Sequence, residues 1–217
     1  MPAPDVEDQE RKMKIAVIGR GSVGGALAPR FAEAGHDVVV GARRPAPSAR
    51  PPQTGVADAA RDADVVVLAV PWEEVEAVRR ETGALAGKIV VDCTNPIGAG
   101  LTHAPVLAES GTRHPSGGEA TRALYGDASV VKAFATVGAP AMADPVYEGG
   151  RPFMPVCGGD ARARKVVCEL VEEVGFQAVD AGPMRKAVHL EHLALLWITM
   201  AHETGLGRQF AMGLLGR

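Results

Sequence analysis

KIAVIGRGSVGGALA, residues 14–28, is the stretch on which the fold turns. Residues 13–18 are a short apolar run. Gly19, Arg20, Gly21, Ser22, Val23 and Gly24 follow, and then Val23, Leu27 and Phe31 recur every four positions. An apolar run closed by glycines and continued with helical periodicity reads as strand, tight turn and helix over 22–34. In that setting G-x-G-x-x-G is a dinucleotide signature. The first glycine permits the turn, the second lets the backbone approach a pyrophosphate, and the third allows helix and strand to pack closely. The helix N-terminus then faces the anion. Without that context the triplet would say little in a chain holding 26 glycines.

Outward from this unit, strand and helix signals alternate. Gly35 ends the first helix, and 37–41 carries the β-branched run Val38, Val39 and Val40. Pro45, Pro47, Pro51 and Pro52 exclude a helix and leave an extended, solvent-facing connection over 45–55. A short helical turn over 56–62 precedes 64–70, whose VVVLAV run after Asp64 is wholly apolar, the pattern of a strand covered on both faces. A helix over 72–80 has Glu73, Glu74 and Glu76 in its first turns, where carboxylates suit the dipole, and 88–93 is the next strand. Residues 95–115 lack a period and read as a lid. Ser116 and Glu119 frame a capping box opening a helix that runs to Tyr125, and 129–135 is another strand. Val156 and Cys157 end a further strand, 161–174 is a helix and 177–180 a last short strand. Residues 184–202 form a helix apolar on more than one face, expected to pack inward and against a partner chain. The expected fold is α/β: a Rossmann-type doubly wound parallel sheet with a small C-terminal helical extension. It divides into a flexible tail (1–12), a nucleotide-binding domain (13–140), and a region (141–217) that completes the acceptor site and a dimer interface.

The end of the second strand selects the nucleotide. NAD sites place a carboxylate there for the ribose hydroxyls, whereas this chain has Gly41, Ala42, Arg43 and Arg44. Two guanidiniums suit a 2′-phosphate, and charge-assisted bonds of about 1.5–3 kcal/mol each favour NADP(H). The bland alternative is a solvated basic pair at a loop start.

Composition narrows the remaining classes. The chain has 217 residues, 47% apolar and 23% charged, enough for a real core. A net charge of −3 without a basic stripe speaks against nucleic acid, and no apolar run approaches a membrane span. The N-terminus has no apolar core of a secretory signal, so a cytoplasmic, soluble protein is expected. Cys93, Cys157 and Cys168 are odd in number and lack a CxxC spacing, which suits small buried hydrophobes better than a disulfide, a metal site or a nucleophile.

KIAVIGRGSVGGALA (14–28), HDVVVGARRP (36–45), ADVVVLAVPW (63–72), GKIVVDCTNP (87–96), VVKAFATVGA (130–139), PVCGGD (155–160) and VDAGPMRKAVHLEHLALLW (179–197) stand in an order and spacing that resemble the NADPH-dependent F420 reductase family. The resemblance runs from residue 13 to the C-terminus. It implies hydride transfer between NADPH and a deazaflavin (coenzyme F420). Ser22 and Val23 would line the phosphate turn, and Arg43 and Arg44 would take the 2′-phosphate. Ala69, Val70, Pro71, Trp72, Asn95 and Pro96 would border ribose and nicotinamide, and 134–139, with Ala135 and Thr136, would approach the deazaflavin. Two stretches depart from the family pattern: the Pro-rich 45–52 segment replaces a helix, and 134–139 differs from archaeal members.

Hydride transfer needs two rings stacked at roughly 3–3.5 Å and no side-chain acid or base, so no catalytic residue is expected beyond positioning groups. Other candidates have plain readings beside their chemical ones. His189 and His192 could be half a metal site or interface residues. Lys132 could donate a proton, or be a solvated charge or ion-pair partner. His103 and His114 could touch an anionic substrate or nothing. Thr136 could bond an acceptor ring or cap a strand end, and Trp72 could shield a nicotinamide or fill the core. A flavin, quinone or imine reductase and a non-catalytic NADP(H)-binding redox sensor remain alternatives to the deazaflavin reading.

Overall fold

A computed structural model describes residues 12–46 and 48–216. The expected tail over 1–12 falls almost wholly outside the described residues, as does Pro47. Ten strands and seven α-helices alternate along the described chain. β1 (Lys14–Ile18), β2 (Asp37–Gly41), β3 (Gln53–Thr54), β4 (Val65–Leu68), β5 (Ile89–Asp92) and β8 (Ser129–Lys132) are mutually parallel, with β9 (Phe153–Gly158) and β10 (Gln177–Pro183) completing an eight-stranded sheet. The strand order is β10-β9-β8-β5-β4-β1-β2-β3, which reverses direction between β1 and β4. Ligands of open α/β sheets bind at the carboxyl ends of the strands beside such a switch.

Residues alternate between two cores because both faces are covered. Ile15, Val17, Val65 and Val67 pack with α1 (Ser22–Glu33) and α6 (Ala161–Val174) on one face. Ala16, Ile18, Val66 and Leu68 pack with α2 (Val56–Arg61) and α3 (Val75–Thr82) on the other. The VVVL run of β4 is therefore wholly buried, as a central parallel strand requires.

Three features differ from the sequence expectation. First, the sheet is only mostly parallel. β9 runs antiparallel to β8, because the chain turns back at the carboxyl edge through the five-residue α5 (Ala139–Ala143) instead of crossing over; α6 then returns the chain so that β10 is parallel to β9. Residues of the 141–217 region thus extend the same sheet. Second, the strand expected over 129–135 stops at Lys132, since Phe134 adopts φ +54°, a left-handed conformation that ends the ladder. Third, the segment 95–115 holds a small hairpin, β6 (Ile97–Gly98) with β7 (Thr102–His103), whose tip contains Gly100 and Leu101 at positive φ. Among the described residues the proline-rich connection holds no helix and ends in the edge strand β3; the carbonyls of Pro52, just before it, and of Thr54 accept from Val40 N and Ala42 N.

At the C-terminus, Met184–Lys186 is a single 3-10 turn leading into α7 (Ala187–Glu203). Trp197 of α7 stacks on Phe210 with centroids 5.3 Å apart, and Phe153 N donates to Met212 O, so the final segment runs back along the start of β9. Leu196, Leu206, Leu214 and Leu215 remain exposed.

Candidate functional site

The three glycines of the first turn do three different jobs. Gly19 sits at φ +109°, and a Cβ there would lie 2.4 Å from Ala69 O, so turn and β4 are in direct backbone contact. A Cβ on Gly24 would lie 2.0 Å from Gly19 O, which packs α1 tightly on the turn. Around Gly21 nothing lies within 4 Å of that position; it faces open space. Gly21 is also the N-cap of α1, and no side chain caps this helix. By contrast, Ser116 Oγ accepts from Glu119 N at the start of α4 (Gly117–Leu124), and Asp160 Oδ1 accepts from Ala163 N at the start of α6. The amide groups at the head of α1 are left for an anion.

A cleft of about 690 Å³ opens there, at the carboxyl ends of β1, β2 and β4. Its lining brings together Gly19, Arg20, Gly21, Arg43, Arg44, Ala69, Val70 and Pro71, all singled out in the sequence, with Glu74 and Glu81 from the opposite wall. Both arginines of the pair are exposed. Arg43 reaches Glu74, whereas Arg44 makes no ion pair among the described residues.

Trp72 does not join this lining. Its indole is buried and donates to Val106 O at 3.0 Å, pinning the 95–115 segment over α3. Thr136 is buried as well, with its hydroxyl on Met154 Sδ at 3.5 Å. Asn95 Nδ2 donates to Ala135 O, joining the loops after β5 and β8, while Asn95 Oδ1 is buried without a partner among the described residues.

Sequence reading missed a charge network directly beneath Asn95. Lys132, the last residue of β8, is fully buried and not solvated. Its Nζ lies 3.1 Å from Asp92 Oδ2, 2.7 Å from Thr94 O and 3.2 Å from Glu191 Oε1. Asp92 Oδ1 accepts from Thr94 N and Oγ1. Glu191 of α7 accepts from Gly117 N and Gly118 N at the head of α4 and pairs with His103 of the hairpin at 2.6 Å. Burial raises the Glu191 carboxyl, but Lys132, His103 and the two amides outweigh it and hold it below the usual carboxylate range. Burial likewise lowers Lys132, and Asp92 and Glu191 more than reverse this, keeping it charged. The legible signal was a charged residue in each of three strongly apolar segments.

His103 also stacks near His192 at 4.7 Å, while His189 is exposed, and no cluster fit for a metal ion occurs among the described residues. His114 is half-buried in the loop before α4. Burial pushes the Cys157 thiol up to about 12 and Cys93 higher still, so neither is a nucleophile at neutral pH. No helix among the described residues is long and apolar enough to cross a membrane.

Residues 14–96 match the family described as NADP oxidoreductase, coenzyme F420-dependent. The F420-dependent NADP reductase of Methanothermobacter thermautotrophicus is 30% identical over 207 residues, covering 87% of this chain and 89% of that protein. This chain belongs to the F420-dependent NADP reductase family. A solved structure from Arthrobacter sp. FB24, provisionally assigned as an F420-dependent NADP reductase, is 33% identical with a TM-score of 0.81, covering 94% of this chain and all of that one. The metalloreductase STEAP3 of Rattus norvegicus is 29% identical over 84% of this chain, and the chain spans 36% of that relative's length. The cleft lining from Ile18 to Val78 lies within the family match.

Proposed function

We propose that the cleft binds NADP(H) and that the protein transfers hydride between NADPH and a deazaflavin of the F420 type. One observation carries the nucleotide half: Gly21 faces open space at the uncapped head of α1, with Arg20, Arg43 and Arg44 lining the same cleft. Diphosphate fits the amide groups of the helix head, and a 2′-phosphate fits the guanidiniums after β2. The buried Asn95 Oδ1, which has no partner among the described residues, suits an amide donor such as a carboxamide.

NADPH supplies the hydride and the deazaflavin accepts it when both are bound. The chain's task is to position them and keep water away. Asp92 and Lys132 hold both sides of the Thr94 peptide, so Asn95 and Pro96 stand on a rigid ledge. Lys132 is occupied by three oxygens and its charge is locked, so it donates no proton; the hydride step itself asks for none, and the proton that completes the reduced ring is taken up from solvent. The deazaflavin assignment rests on family membership and on the resemblance of 130–139 and 179–197. We further propose a cytoplasmic homodimer, supported by three thiols without disulfides and by exposed Leu196, Leu206, Leu214 and Leu215.

The test is stopped-flow mixing of NADPH or NADH with oxidised deazaflavin, FMN and a quinone panel. Loss of deazaflavin absorbance with NADPH, much faster than with NADH, is expected. Turnover of FMN or quinone alone would replace the acceptor and leave the nucleotide reading in place. NADPH binding with no reduction of any acceptor would favour a redox sensor.

A further inference from the structure

The ion pair in the cleft crosses it from wall to wall. Arg43 follows β2, whereas Glu74 ends the 3-10 turn Trp72–Glu74 that follows β4. Their side chains meet at 3.5 Å, with Arg43 78% and Glu74 36% exposed, and both belong to the cleft lining. Arg44, on the same wall as Arg43, has no such partner among the described residues. The two arginines are therefore not equivalent: one is free to meet an incoming anion, and the other is already neutralised by a carboxylate across the gap.

We propose that Glu74 tempers the nucleotide selectivity of this cleft: it holds Arg43 across the mouth, is displaced by a 2′-phosphate, and so weakens the preference for phosphorylated nucleotides that the arginine pair creates. This rests on the NADP(H) reading above. A guanidinium turned toward a phosphate dianion gives up its carboxylate, and that carboxylate then stands beside the dianion as a like charge. A nucleotide with a bare 2′-hydroxyl gives Arg43 no reason to leave Glu74. Glu74 thus penalises only the phosphorylated ligand. Because the pair is exposed, the penalty is modest, and a modest one also lets the oxidised nucleotide leave after turnover.

The experiment is calorimetric titration with 2′,5′-ADP and with 5′-AMP, which share the adenosine 5′-monophosphate core, differ only in the 2′-phosphate and need no acceptor. Glu74→Gln keeps the size of the side chain and removes its charge. It is expected to tighten 2′,5′-ADP binding by roughly 3- to 10-fold while changing 5′-AMP by less than about twofold. In an Arg43→Gln background the gain should shrink to less than about twofold, the part that like-charge repulsion of the phosphate alone supplies. An unchanged 2′,5′-ADP affinity, an equal gain for both nucleotides, or a gain undiminished by Arg43→Gln would each overturn the proposal. Equal affinity of the unsubstituted protein for the two nucleotides would remove the NADP(H) reading and this proposal together. Intact discrimination with an unresponsive Glu74→Gln would remove this proposal alone.

Discussion

Lys132 Nζ lies 3.2 Å from Glu191 Oε1, so the last residue of a central strand is bonded to the C-terminal helix through a fully buried charge. Asp92 completes the arrangement at 3.1 Å, and the three side chains are at most 1% exposed. A lysine between two carboxylates offsets its desolvation only while all partners remain. Lys132→Met would leave two carboxylates facing each other in the core, and a loss of about 3–5 kcal/mol is expected in urea unfolding at neutral pH. A loss below about 1 kcal/mol would show that the carboxylates find other partners or protonate without strain.

The same network fixes the acid limb of stability. Glu191 has a folded-state value below its ordinary 4.5, so its contribution is present above pH 4.5 and is lost as pH falls through the depressed folded value. Asp160 shifts in the same direction, chiefly because Ser129 and the Ala163 amide bond its carboxylate. Stability should therefore decline as pH drops below 4.5. Glu191→Gln, less stable at neutral pH, should decline less steeply. Parallel curves of unfolding midpoint against pH for the two proteins would contradict this.

The glycines separate fold from binding. Gly24→Ala would force a Cβ to 2.0 Å from Gly19 O and should lower the melting temperature by several degrees. Gly21→Ala has open space and φ −71°, so its melting temperature should stay near that of the parent while NADPH affinity falls at least 10-fold. Fluorescence titration with NADPH and a thermal melt on both variants distinguish these effects. Normal affinity in a folded Gly21→Ala would place the diphosphate elsewhere.

Arg44 has no competing carboxylate among the described residues, so it should carry more of the 2′-phosphate recognition than Arg43. Arg44→Ala is expected to weaken NADPH binding by roughly 10- to 100-fold with NADH nearly unchanged. Arg43→Ala should cost less. The reverse ranking in paired titrations would mean that Glu74 does not compete effectively for Arg43.

Leu196 is 52% exposed on α7, beside a terminal segment with Leu215 at 96%. If this face joins two copies, Leu196→Glu should convert a dimer into a monomer by light scattering without unfolding α7. A dimer that persists would locate the interface on another surface.

Residues 14–28 alone determined the strand-turn-helix unit, and Arg43 and Arg44 alone pointed to the 2′-phosphate, because turn geometry and charge at a strand end are local properties. The long sheet strands were equally legible, since runs such as VVVL admit few other readings, whereas the two-residue strands β3, β6 and β7 were not. What only the tertiary structure decided was which distant residues share a space. The direction of β9 depended on whether the chain crosses the sheet after β8, and no local pattern encodes that. Asp92, Lys132, His103 and Glu191 lie up to 99 positions apart and are joined by the meeting of β5, β8, the hairpin and α7. Trp72 and Thr136 read as site residues in sequence, yet packing turned one beneath the 95–115 segment and the other onto Met154. Backbone preference acts between neighbours in the chain, whereas burial and charge pairing act between neighbours in space, and only the folded arrangement says which those are.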